Sequence, residues 1–158
     1  MNEEFHFFWK GPLSQWFKRN FTINGVIYNC CEQYMMSCKS TLFKDEVALN
    51  KIMKSTNPYD QKSYGRNVEF FDKDVWESMA KKYVYEGNYA KFTQNNDLKE
   101  ILLSTGEKLI VEASKFDKIW GIGLEEVDPR AQSRSTWLGT NWLGEVLTNV
   151  RNDIRNKQ

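Results

Sequence analysis

The sequence predicts an α+β fold: a single compact domain, mainly α-helical, with one β-hairpin and a few short strands. An Asn-Gly dipeptide between two apolar triplets predicts the hairpin. Stretches with apolar residues at helical spacing predict the helices, and short apolar runs after Gly106 predict the later strands. With 158 residues and 18.7 kDa, the chain is expected to form one domain, residues 1–158, that buries its core without metals or disulfides.

Local turn and helix signals predict the first elements. Asn24-Gly25 tolerates the positive φ angles of a two-residue type I′ turn, so the residues on either side pair as a hairpin between Phe21 and Tyr28. The hairpin leads into a helix over residues 31 to about 41 or 43. A second helix runs from residue 45 to about 55.

Breaker residues separate the next helices. Asn57-Pro58 stops the second helix, and one or two helical turns over residues 59–64 are closed by Gly65. A long helix capped by Asp72 or Asp74 reaches about residue 92, with Gly87 as its weak point.

The pattern changes in the last third of the chain, after one more helix that Asp97 caps. Residues 108–113 and 118–123 are predicted as short strands around a turn at 115–117. Residues 124–137 form a polar loop, and a final helix starts near Asn141.

Charge and hydropathy exclude several classes of protein. The chain has 22 lysines and arginines against 21 acidic residues, which predicts no long-range field for nucleic acid or an anionic membrane, although a local basic patch stays compatible with it. No run is apolar enough to span a bilayer, and Met1-Asn2-Glu3-Glu4 lacks the regions of a signal peptide. We expect a cytoplasmic protein without a membrane partner.

Cysteine usage indicates reduced thiols. Cys30, Cys31 and Cys38 are odd in number, and a vicinal pair does not easily form an ordinary disulfide. A zinc site would need a fourth ligand, and the only histidine is His6. No metal and no cofactor is therefore expected.

The acid and amine of Glu32 and Lys39 are the first candidates for chemistry. Seven helical steps return almost to the starting direction, so both side chains share one helix face, separated by roughly 10 Å of rise. Met35-Met36 lies between them, and partial burial there would tune the pKa of both groups. The alternative is a solvated helix edge whose Tyr34 and Cys38 face the core.

Other polar positions have a functional and a structural interpretation. Arg66 suits a bidentate phosphate contact or a surface salt bridge. Trp120-Gly121 allows backbone to approach a ligand closely, or forms a tight turn beneath a core tryptophan. Asp117 supplies a second carboxylate or is a turn residue. The start of the last helix, residues 139–144, suits a phosphate or ribose oxygen, or is an ordinary helix cap.

The order of short motifs along the chain carries more information than any one of them. These motifs are the hairpin, Cys31–Met36 followed by Lys39, Gly65-Arg66, Lys91-Phe92, residues 102–106, residues 111–113, Asp117 with residues 120–124, Asp128-Pro129, and Asn141 with Leu143-Gly144. In this order they resemble the NADAR (YbiA-like) family. The resemblance covers nearly the whole chain, from about Phe5 to Arg155.

The resemblance implies a compact, mainly helical α+β domain with N-glycosidase activity on ribose attached through nitrogen. One branch of the family hydrolyses phosphorylated ribosylamine intermediates of riboflavin biosynthesis, and another removes ADP-ribose from guanine bases of nucleic acid. The implied partner is a ribosyl or ADP-ribosyl substrate, on a nucleotide or in nucleic acid. The alternative is a non-catalytic module that binds ADP-ribose or NAD.

Residue by residue, the resemblance places the family's Glu on Glu32 and its Lys on Lys39. We expect Glu32 to be the acid or base and Lys39 a Schiff-base or electrostatic partner, with Asp117 a further catalytic candidate. The substrate-binding residues expected with them, among which Trp120 would stack on the base or wall the ribose, are Tyr34, Arg66, Trp120, Gly121, Asp128, Asn141 and Gly144. Relatives of the riboflavin type often carry Asp where this chain has Ile122, and they shorten the following loop. This departure disfavours a riboflavin intermediate as substrate.

Overall fold

The computed structural model of the protein describes residues 3–158, so Met1 and Asn2, the start of the segment considered above for a signal peptide, lie outside the described residues. In chain order the elements are β1 (Phe5–Phe8), β2 (Phe21–Ile23), β3 (Val26–Tyr28), α1 (Cys31–Leu42), α2 (Glu46–Lys54), α3 (Pro58–Arg66), α4 (Lys73–Gln94), α5 (Asn96–Leu103), β4 (Leu109–Glu112) and α6 (Trp142–Asn156). This arrangement confirms the mainly helical α+β fold.

The chain divides into two compact units. The central unit is Gln15–Asn95, and the terminal unit combines the N-terminal residues up to Ser14 with Asn96–Gln158. The central unit holds β2, β3 and α1–α4, and the terminal unit holds β1, β4, α5 and α6. The expectation of one domain over residues 1–158 stays a prediction.

Turn and cap chemistry forms the elements of the central unit. The hairpin is confirmed: β2 and β3 pair antiparallel, and Asn24 and Gly25 have φ angles of 50° and 80°, as a type I′ turn requires. Asp45, Asn57 and Asp72 each accept a backbone hydrogen bond two or three residues later, at 2.9 to 3.1 Å. These caps fix the starts of α2, α3 and α4.

The core of the central unit surrounds α1, which packs against α2, α3 and α4. Tyr34 lies in a buried cluster with Phe21, Cys31 and Ala90. A Cβ at Gly87 would approach the Tyr34 ring to 3.0 Å, so this glycine allows α4 to pack close to α1. The predicted weak point of α4 is therefore a packing contact, and the helix continues through it to Gln94.

In the terminal unit, β1 pairs in parallel with β4, from Phe5 opposite Leu109 to Phe8 opposite Glu112. Helix α6 packs on β4. Buried apolar side chains fill the space beside the strands, namely Val111, Ile122, Leu124 and Ala131. Strand β1 was not predicted, because a short strand whose partner β4 lies about a hundred residues away leaves no local signal.

The predicted strand over residues 118–123 is wrong. Asp117 Oδ1 accepts hydrogen bonds from the backbone N–H groups of Ile119 and Trp120 at 2.9 and 2.8 Å. The N–H of Gly123 returns to the Asp117 carbonyl at 3.1 Å, and Gly123 has a φ of 73°. The carboxylate and the positive φ close a compact turn, so the segment does not extend into a strand.

Two helix boundaries and one loop also differ from prediction. Helix α3 runs through Gly65 to Arg66, and Asp97 lies in the first turn of α5, which begins one residue earlier. The polar loop contains two short 3-10 helices, Pro129–Gln132 and Arg134–Thr136. Across residues 3–158, no helix is both long and apolar enough to cross a membrane.

Candidate active site

Glu32 and Lys39 belong to α1, where seven helical positions bring them to one face. Only 6% of Glu32 is exposed. Its backbone N–H donates to the Gln15 carbonyl at 3.0 Å, so the first turn of α1 is tied to the chain before the hairpin. Lys39 is half-buried. The predicted acid and amine thus lie on the inner side of the helix and are not a solvated edge.

Aromatic rings surround the amine of Lys39. Its Nζ lies 4.5 Å from the centre of the Phe71 ring and 5.5 Å from that of Trp76. Burial lowers the pKa of Lys39, the negative charge of Glu32 opposes that change, and the positive charge of Arg66 adds to it. A lysine in this setting reaches its neutral, nucleophilic form at lower pH than an exposed lysine does.

A close helix contact brings Arg66 towards this face. A Cβ at Gly65 would lie 2.0 Å from the Met36 Sδ, so the glycine lets α3 approach α1 closely without displacing the Met36 side chain. Arg66 is the last residue of α3 and is exposed, and its charge acts on Lys39. The structure therefore brings together three of the predicted site residues, Glu32, Lys39 and Arg66.

Tyr34 points away from this face. Its hydroxyl donates to Glu86 Oε1 at 3.1 Å, and its ring packs edge-on against Tyr28 with centroids 4.9 Å apart. Burial raises the pKa of Tyr34. The position two residues after Glu32 lies about 200° around the helix, so Tyr34 belongs to the core.

Asp117, Trp120 and Gly121 lie together in the terminal unit. The Asp117 carboxylate caps the turn described above, which matches its structural interpretation. A Cβ at Gly121 would lie 2.9 Å from the Glu112 carbonyl oxygen, so this glycine lets the turn pack against β4. Trp120 is half-buried and meets Trp142 edge-on, with centroids 5.5 Å apart.

Asn141 and Gly144 join α6 to β4. The fully buried Asn141 donates from Nδ2 to the Ile110 carbonyl and accepts at Oδ1 from the Glu112 N–H, both at 3.0 Å. Its φ is 55° and its side chain makes no cap hydrogen bond to the helix. A Cβ at Gly144 would lie 2.0 Å from the Ile110 carbonyl oxygen. Both residues have structural contacts that explain their identity.

Asp128 also has a local role. Its Oδ1 accepts from the Arg130 backbone N–H at 2.9 Å, and its carboxylate pairs with the Arg130 guanidinium at 2.9 Å. These hydrogen bonds lower the pKa of Asp128. The residue caps the first 3-10 helix of its loop.

The cysteines are reduced and largely inaccessible. Cys30 donates to Gln61 Oε1 at 3.1 Å, and Cys31 donates to Asn88 Oδ1 at 3.5 Å. Burial raises the pKa of Cys30 to about 11 and that of Cys31 to about 12. Among residues 3–158, no group of three or more His, Cys, Asp or Glu side chains could hold a metal ion.

Sequence reasoning missed the aromatic side of the site. Phe71 and Trp76 lie on either side of the cap of α4 and contact an amine from α1. The signal was present as a Phe-Phe pair directly before a helix cap, but aromatic residues in such places are often ordinary core contacts. Lys91 was used only as a family marker, yet it is fully buried, with its ammonium 4.8 Å from the Phe92 ring centre.

The chain is similar to known proteins over most of its length. The model of the NADAR domain family matches residues 7–155. The chain is 43% identical over 146 residues to "N-glycosidase R617" of Acanthamoeba polyphaga mimivirus, covering 89% of this chain and 86% of that protein.

The chain is also 40% identical over 133 residues to "Protein irg-1" of Caenorhabditis elegans, a match covering 83% of this chain. That match spans 63% of the longer nematode protein. Among solved structures, the NMR structure of the Escherichia coli protein YbiA has a TM-score of 0.80 with 23% identity, covering 99% of this chain and 88% of that one. At this identity the likeness shows the fold alone.

Proposed function

The chain belongs to the NADAR domain family, and we propose that it is an N-glycosidase that hydrolyses an N-ribosyl bond with Glu32 and Lys39. The observation that carries this proposal is the placement of a half-buried amine and a buried carboxylate on one face of α1, beside Arg66. An acid and an amine of lowered pKa can together cleave a bond between ribose and nitrogen, and a guanidinium can bind a phosphate of the substrate.

The chemistry follows from what each group can do. An N-ribosylated exocyclic amine opens its sugar ring to an imine, whose C1 is attacked by neutral Lys39 to form a new C–N bond. Glu32 donates a proton to the departing nitrogen while its bond to C1 breaks. Water then hydrolyses the Schiff base, which releases the sugar and restores the amine. Lys39 acting only through its charge is the second form of this mechanism.

Arg66 is proposed to bind a phosphate of the substrate, because an exposed guanidinium near the site offers bidentate donors. Replacing Arg66 by alanine should then raise KM for a phosphorylated substrate far more than for the dephosphorylated one. Equal effects on both substrates would exclude a phosphate contact.

We propose ADP-ribose attached to a guanine base as the substrate, with phosphorylated ribosylamine intermediates of riboflavin biosynthesis as the second class. The near-zero net charge is compatible with a few phosphate contacts to nucleic acid. Relatives of the riboflavin type often carry Asp at the position of Ile122. Here the residue is apolar and fully buried in the terminal unit, which disfavours a riboflavin intermediate as the first substrate.

The decisive experiment measures release of free base or reducing sugar from a guanine-ADP-ribosylated oligonucleotide and from a ribosylaminopyrimidine phosphate. Wild type is compared with Glu32→Ala. Turnover of one substrate that disappears in the variant is expected. If neither substrate turns over while ADP-ribose still raises the melting temperature, the protein is a binding module instead.

Borohydride trapping tests the Schiff base directly. During turnover, reduction should leave a sugar adduct on Lys39 that is detected by mass spectrometry. The adduct should be lost in Lys39→Met and retained in Lys82→Met, which removes an exposed lysine of α4. Turnover without any adduct would leave Lys39 an electrostatic role only.

A further inference from the structure

We propose that Phe70 and Phe71 form a stacking subsite for the planar base of the substrate, beside the Lys39 amine. The inference rests on the proposed function, and it adds the part of the site that would recognise the leaving group. Nothing in the catalytic scheme above requires these two rings, so their placement needs its own explanation.

Two adjacent phenylalanines are exposed in the segment between α3 and α4. Phe70 is 87% exposed and Phe71 is 45% exposed. Neighbouring large apolar rings on a surface commonly mark a binding site, since burying them in the protein would otherwise be favourable.

The segment that carries these rings is anchored on both sides. The Glu69 N–H donates to Asp45 Oδ2 at 3.0 Å, and Val68 is buried. After the rings, Asp72 Oδ1 caps the start of α4, accepting from Asp74 N–H at 3.0 Å. The exposure of Phe70 is therefore set by fixed backbone on either side and does not come from a loose loop.

The backbone at Phe70 is strained. Its φ is 59°, a left-handed conformation that favours glycine or asparagine and is unusual for a bulky side chain. Asparagine or glycine would fit this backbone better, and a polar residue would suit the solvent better. A phenylalanine that is both strained and exposed indicates that the ring itself has a use.

Phe71 connects this segment to the catalytic face, and Phe70 precedes it directly in the chain. The Phe71 ring is held edge-on against Phe43, with centroids 5.5 Å apart, and its centre lies 4.5 Å from the Lys39 Nζ. Because the Lys39 Nζ occupies one face of the Phe71 ring, the base is taken to stack on the more exposed ring of Phe70 and to meet the exposed part of Phe71, which keeps the base beside the amine. This contact commits the subsite to the planar base of the substrate.

The test compares ligands with and without a base. The dissociation constants of guanosine monophosphate and ribose 5-phosphate are measured by calorimetry for wild type, Phe70→Asn, Phe71→Leu and Phe116→Leu. Phe70→Asn keeps a residue suited to the left-handed backbone and removes the ring, so the fold is preserved. Phe116 is 76% exposed in the terminal unit and is the matched control.

We expect Phe70→Asn and Phe71→Leu to weaken guanosine monophosphate binding about tenfold, within the range for one base stacked on an aromatic ring. Binding of ribose 5-phosphate should change less than twofold, and Phe116→Leu should match wild type. Unchanged nucleotide affinity in both variants, or no nucleotide binding by wild type, overturns the subsite. So does a wild-type dimer that Phe70→Asn converts to monomer with nucleotide affinity unchanged, because the rings would then bind a second copy of the chain.

Turnover assays on the same variants separate this inference from the proposed function. Wild-type turnover of the ADP-ribosylated oligonucleotide, with the same KM in Phe70→Asn, would leave the reaction standing and refute the subsite. Ring-dependent nucleotide binding without turnover of either substrate would retain the subsite and refute the reaction.

Discussion

Replacing Asn141 by alanine distinguishes a structural role from a substrate-binding role for the Asn-x-Leu-Gly motif. The change removes the amide that bridges the Ile110 carbonyl and the Glu112 N–H, both at 3.0 Å. Asn141 itself is fully buried, so water does not readily replace the lost partners. The variant also puts alanine at a φ of 55°, which asparagine tolerates better.

The expected loss of stability follows from these contacts. Each buried backbone group left without a partner costs about 1–3 kcal/mol, and the left-handed conformation costs alanine roughly 1 kcal/mol more. The sum is roughly 3–7 kcal/mol, a large part of the 5–15 kcal/mol that stabilises a typical domain. At about 2–4 °C per kcal/mol for a chain of this size, Tm should fall by roughly 6–28 °C.

Thermal and urea unfolding of wild type, Asn141→Ala and Asn141→Gly measure this loss. The glycine variant loses the same hydrogen bonds but accepts the positive φ, so it should be about 1 kcal/mol more stable than the alanine variant. At a temperature where Asn141→Ala is folded, its KM should equal that of wild type. A wild-type Tm combined with a raised KM would refute the reasoning and assign Asn141 to substrate binding.

Three further predictions concern the central unit. The charge of Glu32 opposes the burial that lowers the pKa of Lys39, so Glu32→Gln should shift the pH dependence of Lys39 reductive methylation to lower pH. Mass spectrometry follows the reaction, and an unchanged profile would show that the charges do not interact. Gly65→Ala should lower the free energy of unfolding by about 1–2 kcal/mol, because its Cβ would lie 2.0 Å from the Met36 Sδ. The loss should vanish in a Met36→Ala background, and additive effects of the two substitutions in urea unfolding would contradict the contact. Burial raises the pKa of Cys30 to about 11, so its thiolate fraction at pH 8 should be on the order of one in a thousand. Cys30 should therefore react with a disulfide reagent only on unfolding, and rapid labelling of Cys30 in the folded protein would disprove this.

Local signals explain which parts of the fold could be predicted. The hairpin required only Asn24-Gly25 between apolar residues, and the start of α4 required only Asp72 and the spacing after it. The predicted strand at 118–123 failed because the alternation of apolar residues resembled a strand while the Asp117 side chain capped a turn. Strand β1 was missed because its parallel partner is distant in sequence.

The predicted site residues divide in the same way. Glu32 and Lys39 were predicted to share a helix face from spacing alone, and both do lie on α1. Tyr34, Asp117, Asn141 and Gly144 were proposed from motifs, and their contacts in the structure are those of packing, turns and helix attachment. A motif identifies a position but does not state whether its side chain faces a substrate or the protein.

The sequence by itself determined the family, the helices with their caps, and the pairing of an acid with an amine on α1. Those properties depend on residue types within a few positions of one another. Only the tertiary structure decided which groups are buried, which form hydrogen bonds within the protein, and which rings lie next to Lys39. The physical reason is that desolvation and close contact arise from residues far apart in the chain, as when Phe71 of the segment before α4 meets the amine of α1.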